Sequence, residues 1–489
     1  MRQPKITFLV GLYALESSLV VILMALYKKG GKPFLAFLNG SPGIVFVIGV
    51  LGLLLSAMVI VGVLRNGPPS QAKLLSATIA LNLLSVALVV SVAEIVIRTF
   101  AVATPAGAVF AGTPLLPRSW EKVVARNRTI LAKASSQGSY LIFDNELGWT
   151  IGPNRSSRDY NRDYQKQYIL QPRQDYPEMN QAVMQKYIDN GDDIYFSSTE
   201  GLRSPRVGMT FAQTRRTRRI AIIGDSYTFG LEVRYEDTWG HQLELALGPD
   251  FQVLNFGVDG YGIDQAYLRY QKHVISWRPD VIIFGFINDD FRRTMCVYGF
   301  LCFPGGEIPF PKPRFVVNGD TLRPLNLPLP KPDSIFAQQF ITDVPFVDYD
   351  RSFEPNEWDW GFYDHAYSVR FLLSKFPRWP AVRSIVSDEA LRSVNGRLLR
   401  SFVRLAQERG SKPLLVFFPS TADLASRSSG RMGVAREVLR ANGIPYVDMT
   451  ECVSRVNPSE RFVVLHYSAT TNAAIAKCLR APVREALRS

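Results

Sequence analysis

"RRIAIIGDSYTFG", residues 218–230, is the stretch on which the reading of this chain turns. Its β-branched run carries no alternation, which marks a strand covered on both faces. Gly224, Asp225 and Ser226 then read as the turn where the chain leaves the sheet. In open α/β sheets that edge, outside the carboxyl ends of the strands, is where chemistry collects.

Working outward from Arg219, strands and helices alternate. Strands are expected at "RIAIIG", "FQVLNFG", "DVIIFGF", "KPLLVFFP" and "IPYVDM". Helices are expected around Thr238–Leu247, Asp264–Ser276, Ser387–Arg409, Arg431–Asn442 and Ser468–Leu487. Doubly covered strands separated by helices imply a parallel, flavodoxin-like sheet inside a three-layer α/β/α sandwich. The α/β domain is placed at 215–489, with a long insertion near 296–380 rich in Pro and aromatics. Insertions of that length are lids, binding loops or subdomains. Trp358, Trp360, Phe362 and Tyr363 within it offer either a sugar-stacking face or a small local core. Residues 101–214 read as a linker and small lead-in of short strands and turns.

The first hundred residues form a different unit, because three apolar runs there match the roughly 20 residues needed to cross a bilayer. They are Ile6–Tyr27, Gly43–Leu64 and Leu74–Ile97, and residues 1–100 are expected to be a membrane domain of three transmembrane helices. No small-residue cleavage site follows the first run, which argues against a cleaved signal peptide. Glu16 lies near mid-span, either functional or hydrogen-bonded between helices, whereas Glu94 and Arg98 suit an interfacial i,i+4 pair. Basic residues flank the spans equally on both sides, so charge does not orient them.

A net charge of +13 and a pI near 9.5 raise nucleic acid as a partner. The basic residues are scattered, however, and zinc-finger spacing, a Walker loop and a strand-linked GxGxxG are all missing from the sequence, so nucleic acid is set aside. The four cysteines fall late, as the sequence-local pairs Cys296/Cys302 and Cys452/Cys478. That arrangement suits disulfides in an oxidising compartment, and so an exported α/β domain.

Four patterns follow one another: "GDSY" at 224–227, "NFGVDGYG" at 255–262, "FINDD" at 286–290 and "HYSATTN" at 466–472. Three follow strands at one sheet edge and the last opens the final helix. A serine hydroxyl needs a base and an oxyanion site to act as a nucleophile. An imidazole with an ordinary pKa near 6.5 can be that base, a glycine lets a backbone N–H approach a carbonyl, and a side-chain amide can donate to the developing charge.

The ordered set resembles the SGNH, or GDSL, hydrolase family over roughly residues 215–485. "FDNELGWTIGPN" and "GLRSP" in the lead-in also resemble the membrane-anchored bacterial members. The resemblance implies Ser226 as nucleophile and His466 as general base, with the oxyanion held by the Ser226 and Gly260 N–H groups and the Asn288 amide. No cofactor is expected, and no metal: the four histidines are dispersed, and Asp289 and Asp290 suit solvated positions or a turn rather than a cation site. Two positions depart from the family pattern. Val463 stands where the family carries an aspartate, so the partner of His466 is open: a backbone carbonyl, or a carboxylate from Glu460, Glu451 or Asp448. Phe286 replaces a glycine and is expected to narrow the site.

The function so implied is a membrane-bound serine esterase or O-acyltransferase, acting through an acyl-enzyme on an acylated, in particular acetylated, cell-surface glycan or lipid. The expected setting is the bacterial cytoplasmic membrane with the catalytic domain outside the cytoplasm, and with room for a membrane partner that delivers the acyl group. The competing class is a non-catalytic glycan-binding or scaffold protein that kept the fold and lost the acid.

Overall fold

The computed structural model describes residues 50, 54, 61, 89–104, 107–156, 194–212, 217–303, 308–319, 321–376, 387–425 and 433–488. The apolar runs at 6–27 and 43–64, apart from Val50, Leu54 and Val61, lie outside the described residues, as does the third run up to residue 88. Among the described residues no helix is long and apolar enough to cross a membrane. The chain divides into two compact units, one of residues 1–119 with 356–380 and one of residues 120–355 with 381–489.

In the larger unit five parallel strands form the central sheet: β1 (Arg218–Ile223), β2 (Phe251–Asn255), β3 (Val281–Phe286), β4 (Lys412–Phe417) and β5 (Val447–Asp448). Their spatial order is β5-β4-β3-β1-β2, and every pairing is parallel. The strand period of two sends neighbouring side chains to opposite faces. Ile220, Ile222, Val253, Ile283 and Val416 therefore enter one apolar layer, and Ala221, Ile223, Leu254, Phe284 and Phe417 the other. Helices α2 (Trp239–Leu247) and α8 (Ala469–Arg488) close the first layer; α3 (Ile263–Arg269), α5 (Asp388–Glu408) and α7 (Val434–Ala441) close the second. This is the three-layer arrangement that the unalternating strands imply. Burying each large aliphatic side chain in it contributes about 1.5–3 kcal/mol.

Helix starts follow capping chemistry. Thr238 accepts the His241 N–H ahead of α2, and Ser387 accepts the Ala390 N–H ahead of α5. The α-helix expected over 264–276 is shorter: after Arg269 the chain widens into a π turn over Tyr270–Val274, tightens into a 3-10 turn over Ile275–Trp277 and ends at Arg278 in the left-handed region.

The part of the insertion that belongs to this unit, residues 296–355, is tied down from within. A buried ion pair joins Lys312 Nζ to Asp264 Oδ2 at 2.6 Å, and buried Asp350 accepts the Val297 and Tyr298 N–H groups. Both cysteine pairs are disulfides, Cys296–Cys302 and Cys452–Cys478. They support an extracytoplasmic setting for this unit.

The smaller unit has its own core of Ile97, Phe110, Leu115 and Phe371. Glu94 pairs with Arg98 and also accepts the Tyr367 and Ser368 N–H groups, capping the helix Tyr367–Lys375. Trp360 donates to the Arg118 carbonyl and lies under the Arg370 guanidinium, 5.0 Å from the ring centre, so it serves local packing.

The Cys452–Cys478 bridge spans 26 residues, and closing such a loop stabilises by about 3 kcal/mol in the chain-entropy model. Replacing both cysteines by serine is expected to lower unfolding free energy by about that amount in a denaturant titration. An unchanged midpoint would show that the bridge does not constrain the unfolded chain.

Candidate active site

The turn after β1 places Ser226 at the first position of α1, a single helical turn over Ser226–Phe229. Asp225 caps it by accepting the Tyr227 N–H at 2.9 Å, and Gly230 ends it in the left-handed region. Gly224 has φ +151°, and a Cβ there would meet the Gly285 carbonyl oxygen and the Thr228 hydroxyl at 2.3 Å. No other residue fits between β1 and β3 at that point, so the serine is presented on a rigid turn.

His466 comes to this serine from 240 residues away, its Nε2 lying 2.8 Å from Ser226 Oγ. The imidazole packs on the Tyr227 ring at 4.9 Å, and the Tyr227 hydroxyl donates to the Leu465 carbonyl at 2.8 Å. The other ring nitrogen, Nδ1, meets Glu232 Oε1 at 3.0 Å. That carboxylate also accepts the backbone N–H groups of Val464, Leu465 and His466 at 2.8, 3.0 and 3.0 Å. Because ionised Glu232 only accepts, the hydrogen on the ring sits at Nδ1, and Nε2 keeps its lone pair for the serine O–H.

Glu232 therefore fills the role that the missing aspartate at 463 leaves open. None of the three carboxylates considered from sequence bonds the ring, whose Nδ1 is met by Glu232. Asp448 pairs with Arg436 at 2.9 Å and caps Thr450, and Glu451 forms an exposed pair with Arg455. Glu460 contributes its backbone carbonyl, not its carboxylate, to Ser468.

The loop after β2 packs on the serine turn, with the Val258 N–H donating to the Gly224 carbonyl at 3.1 Å. Gly260 lies in this loop at φ +76°, buried beside Trp149. Among the described residues neither the Ser226 nor the Gly260 N–H meets an acceptor. Buried amides are nearly always paired, so these two N–H groups stand out as open donors.

Asn288 is the first residue of α4 (Asn288–Arg293), and its side chain is held by two hydrogen bonds. Its Oδ1 accepts the Ala435 N–H at 2.9 Å, and its Nδ2 donates to Asp423 in α6 (Thr421–Ala425). One Nδ2 hydrogen remains for other acceptors. Phe286 does not narrow the site: its ring is buried in the core against Phe291 and Phe417, on the α5 and α7 side of the sheet.

No protein-family model and no curated protein matches the chain. Among solved structures it is similar to a lipolytic-type protein of the G-D-S-L family from Desulfitobacterium hafniense, at 12% identity and a TM-score of 0.28, over 54% of this chain and 98% of the other. It is similar also to a carbohydrate acetylesterase family member from Sinorhizobium meliloti, at 15% identity and 0.26, over 56% and 100%. A third is a catalytic mutant of an acetylxylan esterase from Geobacillus stearothermophilus, at 14% identity and 0.29, over 56% and 96%. The likeness to SGNH/GDSL proteins thus spans about half of the chain, and the chemistry of the site rests on its own geometry.

Charge is arranged around that geometry in two layers. Burial of the His466 ring disfavours its cation, but the Glu232 carboxylate outweighs this and raises the pKa above 6.5, with Asp259 and Asp225 adding to the effect. Behind the serine, Arg293 contacts Asp290 at 2.6 Å and Asp225 at 3.5 Å and donates to the Tyr261 carbonyl. Two buried carboxylates share one guanidinium, and burial foremost pushes both above the usual aspartate range. Buried Asp290 also holds the turn before α4 by accepting the Ile287 N–H, whereas Asp289 is exposed and pairs with Arg292.

The lead-in supplies the supports. The Tyr195 hydroxyl accepts the Glu232 N–H at 2.7 Å, fixing a residue held at φ +73°. Buried Arg203 donates to the Val233 carbonyl and stacks on Tyr195 and Phe229. The Trp149 indole donates to the Asp259 carbonyl at 2.9 Å, bracing the Gly260 loop.

In an NMR titration the His466 ring is expected to titrate above 6.5, in contrast to His273, which burial and the Arg269 charge depress to about 4. Glu232→Gln should move the His466 transition downward. The ion pair stabilises the fold fully below the unfolded-state value near 6.5, and that share is lost as pH rises through the folded pKa. An unshifted His466 in the variant would mean that Glu232 does not set its charge.

Proposed function

We propose that this protein is a serine ester hydrolase or O-acyltransferase working through an acyl-enzyme. The observation that carries the reading is the continuous contact from Glu232 through both His466 nitrogens to Ser226 Oγ, next to the open Ser226 and Gly260 amides. In the acylation step Ser226 Oγ attacks the ester carbonyl carbon while its proton passes to His466 Nε2. The oxygen that gains charge is held by the two amides, with the remaining Nδ2 hydrogen of Asn288 as the third donor. Collapse expels the alcohol, which takes the proton from Nε2. Water or an acceptor hydroxyl then repeats the sequence in reverse, and that choice alone separates hydrolysis from transfer.

The substrate class we infer is an O-acylated, in particular acetylated, cell-surface glycan or lipid. The setting we infer is a bacterial cytoplasmic membrane, with residues 1–100 anchoring an exported domain and with a membrane partner supplying acyl groups where transfer is the outcome. The disulfides and the apolar runs support this placement. Glu232 removes the main argument for a non-catalytic scaffold, since the acid missing at 463 enters from another loop.

The purified full chain is expected to hydrolyse a small acetyl ester, with Ser226→Ala abolishing turnover. Glu232→Gln should reduce kcat by roughly 10³–10⁴, the scale on which a serine triad suffers when its acid is neutralised. The wild-type rate should rise with pH through the elevated His466 pKa, because only the neutral ring accepts the proton. Equal turnover by wild type and Ser226→Ala would refute the proposal.

A further inference from the structure

Beside Asn288 opens a cleft of about 720 Å³ whose other lining residues the acyl-transfer chemistry does not use. Five arginines line it, from segments far apart in sequence: α4, the insertion, the start of α5, and α7. Two of them are already committed. Arg292 pairs with Asp289 at 3.0 Å, and Arg436 pairs with Asp448 and donates to Thr450. Asp423 is likewise occupied, by Asn288 and by the Ser420 hydroxyl at 2.7 Å.

Arg351, Arg392 and Arg440 remain. Among the described residues their guanidinium groups hold no hydrogen bond or ion pair. They share the cleft with Asp388 and Glu437, which also pair with nothing among the described residues and so lie beyond ion-pair distance of the arginines. Guanidinium forks match carboxylate and phosphate oxygens, while carboxylates accept hydroxyl donors. Three forks and two carboxylates that hold no partner among the described residues fit a ligand that carries one anionic group among several hydroxyls, and disfavour a dense polyanion.

Resting on the ester chemistry proposed above, we propose that this cleft seats the non-reacting part of the substrate, a hydroxyl-rich moiety bearing one carboxylate or phosphate. A uronate and a polyol phosphate share that chemistry. The Asn288 side chain, on the cleft wall, joins this seat to the reacting ester. Binding energy gathered there positions the carbonyl over Ser226.

Calorimetry on the full-length protein with galacturonate and glycerol 3-phosphate, against galactose and glycerol as neutral counterparts, tests the seat without requiring turnover. At least one anion should bind about tenfold or more tightly than its counterpart, since hydrogen bonds to charged groups carry that scale. The preference should weaken as salt is added. A preference only for galacturonate identifies the carboxylate source, and one only for glycerol 3-phosphate the phosphate source. Ser226→Ala should retain the preference, and Arg392→Gln with Arg440→Gln should lose it, as should Arg351→Gln in part. With the O-acetyl forms of the anionic and neutral compounds, the double variant should lower kcat/KM about tenfold more for the anionic esters. Neither anion binding better than its counterpart, or a double variant that binds like wild type, overturns the proposal even where Ser226 proves catalytic. Preference without any turnover would leave the cleft standing and remove the ester chemistry.

Discussion

One carboxylate, Glu232, holds the site together by accepting four N–H groups from three consecutive residues. Three come from the backbone at 464–466 and the fourth from the His466 ring. A buried carboxylate left unpaired would be costly, and a backbone segment with three N–H groups left unpaired would be equally so. Each satisfies the other, and the outcome is an imidazole fixed in position, tautomer and charge. A fourfold bonded acid cannot drift from the ring without breaking the loop that carries the ring. The same interaction therefore folds the 464–466 segment and prepares its chemistry.

Two further constraints follow from where the supports originate. The serine turn is pinned by Gly224 against β3, and the Gly260 loop by its bond back to that turn and by Trp149. Glu232 is pinned by Tyr195, and the next residue by Arg203. Residues that precede the sheet in sequence thus brace two of the three loops of the site. The lead-in is part of the scaffold of the site, which accounts for its many buried groups despite its short strands.

Much of this was legible beforehand for physical reasons, and some was not. The five strands announce themselves because both of their faces are buried and the sequence shows no polar alternation. Ser226 and His466 stand at the ends of recognisable elements. Glu232 is not legible in this way, because nothing near His466 in the chain points to it and the contact spans 234 positions. Its trace in sequence is slight: a single acid inside "TFGLEVRY", where its neighbours Leu231 and Val233 are buried. The orientation of Asn288 has no local signal, since its partners lie 135 and 147 residues away. Position in the motif alone does not fix where the Phe286 ring goes, since the strand period sends it to the core side.

Serine, imidazole and carboxylate form one unit assembled from distant segments, and the account stands on their acting together with the two open amides. A crystal structure of the protein after reaction with a fluorophosphonate tests this most directly. The account predicts phosphorus bonded to Ser226 Oγ, its phosphoryl oxygen within hydrogen-bond distance of the Ser226 and Gly260 nitrogens, and the His466–Glu232 contact intact. An unmodified Ser226, or a phosphoryl oxygen turned away from both amides, would contradict it.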